Sequence, residues 1–416
     1  MLLTNEQNKR AGWEHFLLRA AKEISLSEAQ YNTIDSRYSQ LESILSASDN
    51  PLLVEAHIFV QGSIRLKTTV KPVPGAPKDL NTIDADAIVW LPHALGASAD
   101  EVLQAIEERF RDGSRVKSDI QPLRRGIRIV YADESPGFHI DVTPARAIAG
   151  NNESDGEGKL EVPDRETGWK ASSPIPYSNW LQLASTQEII LEQRGLIKNQ
   201  IIADSATQAP LPEYEDYLDQ DPLRAAIKLL KRHRDEWAIR TEDKGYRPIS
   251  AVITTLATHA YIDIAEASKL QPIRPLDAIL GIVQRMENHI QYFGGQYFVC
   301  NPEDIGENFA EKWNRPHEGE KYRKAFLDWY REASSALSLG LENFTSAEDF
   351  TKAINENFGI GTTFITAINN ELPANWTLPG RTEGITRNSI SMGALFGGAS
   401  ASGNSQSQVK PVERLG

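Results

Sequence analysis

Residues 82–91, TIDADAIVWL, constrain this chain more than any other stretch. In an extended strand, side chains two apart share a face, so Asp84 and Asp86 project together while Ile83, Ala85 and Ala87 turn toward a core. Two carboxylates side by side repel unless a cation neutralises them, and hard oxygen pairs of this kind suit Mg²⁺. A third acid, Asp141, sits in FHIDV (138–142), where Ile140 and Val142 take the alternate face of another short strand. Three carboxylates carried on two strands can hold two cations, the arrangement that in-line attack on a phosphoryl group uses. The D-x-D alone reads equally well as a solvated strand face or an isolated Ca²⁺ site; Asp141 argues against both.

Upstream, the apolar run HIFV (57–60) ends in Gln61-Gly62-Ser63. A Gly-Ser turn after a strand exposes backbone N–H groups and a hydroxyl with little obstruction, which suits a phosphate held by a metal. The order is specific: a strand, Gly-Ser, about twenty residues, D-x-D, then a single Asp on a neighbouring strand.

This pattern resembles the nucleotidyltransferase superfamily built on the DNA polymerase β type of catalytic core. The resemblance implies that Gln61, Gly62 and Ser63 hold the donor triphosphate, and that Asp84, Asp86 and Asp141 bind two Mg²⁺ ions, with Mn²⁺ as an alternative. It further implies that Asp141 helps activate the attacking hydroxyl. GWKASSPIPYSNW (168–180), DPLRAAIKLLKRHRDEW (221–237), RPISAVITTLATHAY (247–261) and NPEDIGENFAEKW (301–313) resemble blocks of the bacterial cGAS/DncV-like nucleotidyltransferases (CD-NTases) of cyclic-oligonucleotide antiphage defence (CBASS). That family makes cyclic di- or trinucleotides from NTPs, ATP and GTP among them, and signals to an effector. The implied fold is a two-lobed α/β (α+β) nucleotidyltransferase: a small mixed sheet with helices, an α-helical C-terminal lobe, and the active site in the cleft between them.

The organisation of the chain fits that outline. Residues 5–48 carry apolar residues at helical spacing and read as two helices, in a segment 1–50 expected to pack on the helical lobe. Residues 51–150 form the catalytic core, with β-rich runs at 57–60, 82–91, 126–132 and 138–142 around one helical stretch, 100–110. Residues 151–176 are polar and rich in Gly, Asp and Glu, and read as a loop between lobes. Helical spacing returns at 177–195, 221–237, 248–264, 273–290, 304–312, 320–338 and 346–356, within a lobe ending near 380. Residues 381–416 are rich in Gly, Ser and Ala and cannot bury enough surface to fold alone, so they read as a flexible tail. The tail ends in Gly416, whose carboxylate the resemblance marks as a target of a ubiquitin-transfer-like enzyme.

Within 221–237, Arg224, Lys228 and Lys231 form one basic stripe beside the apolar Leu223, Ile227 and Leu230. The stripe reads either as a solvated face or as a phosphate contact, and likeness to the family selects Lys231 for the phosphate. Pro248 suits the first turn of the next helix, which places Ser250 near an N-terminus where amide dipoles attract anions. His139 shares a strand face with Asp141 and reads as lining the site or, more simply, as a structural histidine. Tyr177 and Trp180 are suited to stacking on a base or to packing the lobe junction. His233-Arg234-Asp235 spells a kinase triplet inside a helical run without the Asn that should follow, and no G-x-x-x-x-G-K-[ST] occurs.

Composition excludes other classes. Lys plus Arg total 44 against 57 Asp plus Glu, a net charge of −13 that argues against general nucleic-acid binding. No apolar run approaches the ~20 residues of a membrane span. The N-terminus lacks a signal-peptide core, and the single Cys300 has no disulfide partner, so a reducing cytoplasm is the expected home. The sequence thus predicts an Mg-dependent cyclic oligonucleotide synthase, the alternatives being a linear or tailing transferase and an inactive nucleotide-binding scaffold.

Overall fold

The burial alternation read at 82–91 is realised in β2 (Thr82–Trp90): Ile83, Ala85 and Ala87 are buried and Asp84 is exposed. This computed structural model describes residues 4–77, 80–113, 118–131, 136–148, 156–187, 189, 221–241 and 244–379. The tail expected at 381–416 lies outside the described residues.

Strand β2 lies in a mixed sheet with β1 (His57–Gln61), β3 (Ser118–Pro122), β4 (Ile127–Tyr131) and β5 (Gly137–Ala147), in the order β1-β2-β5-β4-β3. The β2–β5 pair is parallel and the other neighbours on this path are antiparallel. A parallel pair needs a long crossover. Here the connection contains α4 (Ala99–Gly113), whose Val102, Leu103, Ala105, Ile106 and Phe110 are buried.

Residues 151–176, expected as a loop, instead contain a hairpin, β6 (Leu160–Asp164) and β7 (Gly168–Ser172), which pairs with β5 and extends the sheet. Leu160 and Val162 pack with Phe59, Ile88 and Ala145, so alternating apolar residues inside a polar stretch were enough to build a strand. Asp164 caps its turn by accepting from the N–H groups of Glu166 and Thr167 and by pairing with Arg124 and Arg125.

The two N-terminal helices part company. α1 (Asn5–Glu23) buries Trp13, Phe16, Leu17 and Ala20 in the helical core, as expected of the segment 1–50. α2 (Glu28–Ser46) instead buries Tyr31, Ile34, Tyr38, Leu41 and Leu45 in the core of the sheet lobe. The Tyr38 hydroxyl donates to the carbonyl of Ile58 in β1, which fixes the helix to the sheet.

The helical core is assembled from α5 (Pro174–Ser185), α6 (Pro222–Arg240), α7 (Ser250–Ser268), α8 (Pro275–Arg285), α9 (Gly319–Ala336), α10 (Ala347–Phe358) and α11 (Thr362–Glu371). α6 runs through its centre and is buried from Leu223 to Ala238, a placement that accounts for the His233-Arg234-Asp235 triplet as interior helix. Residues 304–312, expected to be helical, form the strand β11 (Asp304–Asn308) paired with β10 (Cys300–Asn301), followed by a single 3₁₀ turn at Glu311–Asn314. Asp304 and Glu307 face the buried Ser172–Ser173 edge and accept their hydrogen bonds, so lobe packing overrides helical spacing there. A further hairpin joins β8 (Gln291–Phe293) to β9 (Gln296–Phe298).

Candidate active site

Four neighbouring strands bring Gln61, Asp86, Asp141 and Arg128 into one row: Gln61 pairs with Asp86, Asp86 with Asp141, and Asp141 with Arg128. One step along, Asp84 pairs with His139. The sheet register therefore gathers all three predicted acids on one face, although Asp141 lies 55 residues beyond Asp86 in the chain.

Burial and the charges of Asp84 and Asp141 push the Asp86 carboxyl well above the usual carboxylate range. Asp141 is raised by burial and by Asp84, opposed by the Arg128 guanidinium. That guanidinium forks onto both carboxylate oxygens, Nε and Nη2 each lying 2.7 Å away. A carboxylate has about four lone-pair sites, so a bidentate arginine leaves acceptor capacity on each oxygen. Asp84 is 58% exposed at the mouth of the cleft, and Nε2 of the buried His139 lies 2.8 Å from its Oδ1. Donor atoms of Asp84, His139 and Asp141 all fall within 4.8 Å of one another. Converging carboxylates, one of them held against ionisation by its neighbours, fit a divalent cation.

Gly62 begins a four-residue helix, α3 (Gly62–Arg65), directly after β1, at φ +59°. A Cβ at that position would press into the Asp86 carboxylate, so both the backbone angle and the close approach require glycine. The Ser63 hydroxyl accepts from Thr69 at 3.0 Å, and its carbonyl accepts from Thr68 N–H at 2.9 Å, which folds 63–69 into a tight loop.

The helical lobe closes the site from the opposite side. Of the predicted basic stripe, Arg224 and Lys228 turn to other partners: Arg224 donates to the carbonyl of Leu66 and to Gln182, and Lys228 to Ser25. All three are buried, so the solvated face does not exist. Lys231 reaches the cleft, donating to the Thr68 carbonyl at 2.9 Å. Burial, then the Arg234 charge, depress its ammonium to about 8. Ser250 is the first residue of α7, so Pro248 precedes the helix and does not lie in its first turn. Its hydroxyl accepts from Arg234 at 2.9 Å.

Two cavities of about 370 and 280 Å³ open on the cleft, and both are lined by Ser63, Asp84, Lys231 and Ser250. The larger adds Lys71, Arg234, Arg247, Lys312 and Tyr322, a basic wall suited to phosphates. The smaller adds Gln61, Gly62, Asp86, Tyr177, Thr254 and Phe309. Tyr177 is buried there, its hydroxyl hydrogen-bonded to Thr255 at 2.8 Å and its ring 5.6 Å from that of Trp180. Both aromatics thus pack the lobe, and Tyr177 also walls the cavity.

Sequence reasoning missed Arg128, Arg234 and Lys312, and treated His139 as more simply structural. Arg128 carried one faint signal, its place on the polar face of the alternating GIRIVYA. Arg234 and Lys312 carried none, because only the packing of α6, α7 and the 3₁₀ turn turns them to the cleft.

Strand-borne acids opposite a Gly-Ser turn, closed by a lysine from a helical lobe, define a nucleotidyltransferase of the polymerase β type. Residues 14–184 match the family model of the Second Messenger Oligonucleotide or Dinucleotide Synthetase domain (SMODS). That stretch holds Gly62, Ser63, Asp84, Asp86 and Asp141, so the likeness of this chain to the cGAS/DncV-like nucleotidyltransferases rests on the sheet lobe that bears the candidate site. It is 25% identical over 338 residues to a c-di-GMP synthase of Roseivirga ehrenbergii, covering 79% of this chain and 80% of that protein. Its fold is similar to that of the Bradyrhizobium diazoefficiens CD-NTase CdnG in complex with GTP, with a TM-score of 0.61 at 18% identity over 86% of this chain and 98% of that one. It is also similar to E. coli MS115-1 CdnC with ATP, with a TM-score of 0.52 at 13% identity over 83% and 98%. Among the described residues, no helix is long and apolar enough to cross a membrane.

Proposed function

We propose that this chain synthesises a cyclic di- or trinucleotide from NTPs, releasing pyrophosphate, as a signal in antiphage defence. The observation that carries the reading is the in-register pair Asp86–Asp141 on the same sheet face as Asp84, which itself lines a basic cavity with Ser63, Lys231 and Ser250. The similarity to a c-di-GMP synthase supports a cyclic product and GTP among the substrates.

In this reading Gln61 and the Gly62–Ser63 turn, Lys231 and Ser250 cradle the donor triphosphate. The 3′- or 2′-hydroxyl of a second nucleotide attacks the α-phosphate, and pyrophosphate leaves toward the basic wall of Lys71, Arg234 and Lys312. Asp141, steered by Arg128, accepts the hydroxyl proton. Asp84, Asp86 and Asp141 would hold two divalent cations, Mg²⁺ or Mn²⁺, which neutralise phosphate charge and lower the hydroxyl's pKa. A second round closes the ring, which an effector then recognises.

A linear or tailing transferase shares the same acids and differs in its product. An inactive scaffold is disfavoured because every acid and the Gly-Ser turn are in place. Incubation with four NTPs and Mg²⁺, then phosphatase and mass spectrometry, separates the readings. A ring has no terminal phosphate and survives; label released quantitatively from every product would overturn the cyclase reading.

A further inference from the structure

The site holds one buried group that neither the triad nor the phosphate cradle uses. His139 is 7% exposed, and its Nε2 has no hydrogen-bond partner although Oδ1 of Asp84 lies 2.8 Å away. A buried imidazole nitrogen without a hydrogen bond costs free energy unless something else satisfies it. Pairing across β2 and β5 puts His139 beside Asp84, and its position two residues before Asp141 puts it on the same face.

The spacing is that of donors around one ion. At metal–ligand distances of about 2.1 Å, two donors on an octahedral ion sit about 3 Å apart when adjacent and about 4.2 Å apart when opposite. The 2.8 Å between Nε2 and Oδ1 is an adjacent-donor spacing, and a donor atom of Asp141 lies within 4.8 Å of both, close enough for a small shift to bring all three onto one ion.

We propose that His139 is a direct ligand of the divalent cation bound by Asp84 and Asp141, giving the site a mixed nitrogen–oxygen donor set that favours Mn²⁺ over Mg²⁺. The proposal rests on the metal-dependent reading of the triad. Its chemistry is ligand softness: Mg²⁺ is matched by carboxylate and water oxygens, whereas an imidazole nitrogen favours the later divalent ions, with Mn²⁺ accepting both. A histidine that merely filled space would leave this preference untouched.

The test is electron spin-echo envelope modulation of the full chain with one equivalent of Mn²⁺ and no nucleotide, together with Mn²⁺/Mg²⁺ competition. A ¹⁴N coupling is expected in the unaltered protein. It should vanish in His139→Gln while Mn²⁺ stays bound, and the Mn²⁺-over-Mg²⁺ preference should fall on the order of tenfold. Bound Mn²⁺ without ¹⁴N coupling in the unaltered protein overturns the ligand assignment whether or not the variant folds. Coupling that persists in a folded His139→Gln protein does the same. Absence of stoichiometric Mn²⁺ binding by the unaltered chain would instead overturn the metal reading of the triad, and this inference with it.

Discussion

Asp86 shows how a single residue can be costly to the fold while standing at the centre of the candidate site. Its carboxyl is raised by burial first and by Asp84 and Asp141 next, so in the metal-free protein it is a source of strain. A folded-state pKa above the unfolded one means that the native state binds the extra proton, so this stability is present at low pH. It is lost as pH rises from about 4 through the raised value. Asp86→Asn should therefore melt higher than the unaltered chain at neutral pH without metal, and the difference should shrink with saturating Mg²⁺. On the proposed metal-dependent reading, Asp84→Asn, Asp86→Asn and Asp141→Asn should each lower nucleotide incorporation by roughly a thousandfold or more, because each would remove a ligand from the cation pair. Calorimetry and incorporation of labelled NTP measure the two effects. Near-normal turnover in any of the three would remove the metal assignment.

Among the elements, α6 joins the two lobes through buried cations. Lys228 is held by Ser25 of the α1–α2 connection, and burial, with Lys231 and Arg224 adding to it, depresses its ammonium to about 7. Its folded value lies below the ordinary lysine range near 10.4, so between about 7 and 10.4 the unfolded chain binds more protons than the folded one. Stability contributed by this group accordingly rises with pH through that window. Lys228→Met, which keeps most of the volume, should raise the neutral-pH melting temperature by a few degrees and flatten its rise between pH 7 and 10. A variant that retains the full pH slope would show that another group carries it. The same helix explains why a basic stripe read from spacing was only partly informative. Periodicity placed Arg224, Lys228 and Lys231 on one side, but all sides of α6 are covered, and only Lys231 meets the cleft.

For the whole molecule, the contact between lobes is what completes the site. Three cations of α6 hold successive carbonyls of the segment after the Gly-Ser turn: Arg224 that of Leu66, Lys231 that of Thr68 and Arg232 that of Lys71. Arg232 is 3% exposed and also faces Glu236 at 3.6 Å. Arg232→Met should cost about 3 kcal/mol, since it orphans a carbonyl and leaves the buried Glu236 carboxylate with only Arg240 to offset its charge. Because Thr68 and Thr69 of that segment hydrogen-bond Ser63, the substitution should also raise the KM for NTP more than it lowers kcat. Denaturant unfolding and steady-state kinetics check both; an unchanged KM would mean that the clamp does not position the turn. Much of this architecture was legible beforehand. Alternation placed β2 and β5, and helical spacing placed most of the helical lobe, because those signals depend only on which side of an element must leave water. The acids and the Gly-Ser turn stood out for the same reason, each sitting at a local break in an apolar pattern, whereas Lys231 was singled out only by likeness to the family. The hairpin β6–β7, the strand β11 and the docking of α2 on the sheet were not, since each is decided by partners distant in sequence that override local spacing. Local sequence determined which residues form strands and helices and that Asp84 and Asp86 share a face. Tertiary structure alone decided that Asp141 pairs with Asp86, that Arg128 forks onto it and that His139 turns an unsatisfied nitrogen to Asp84, because strand register is fixed by packing across the sheet.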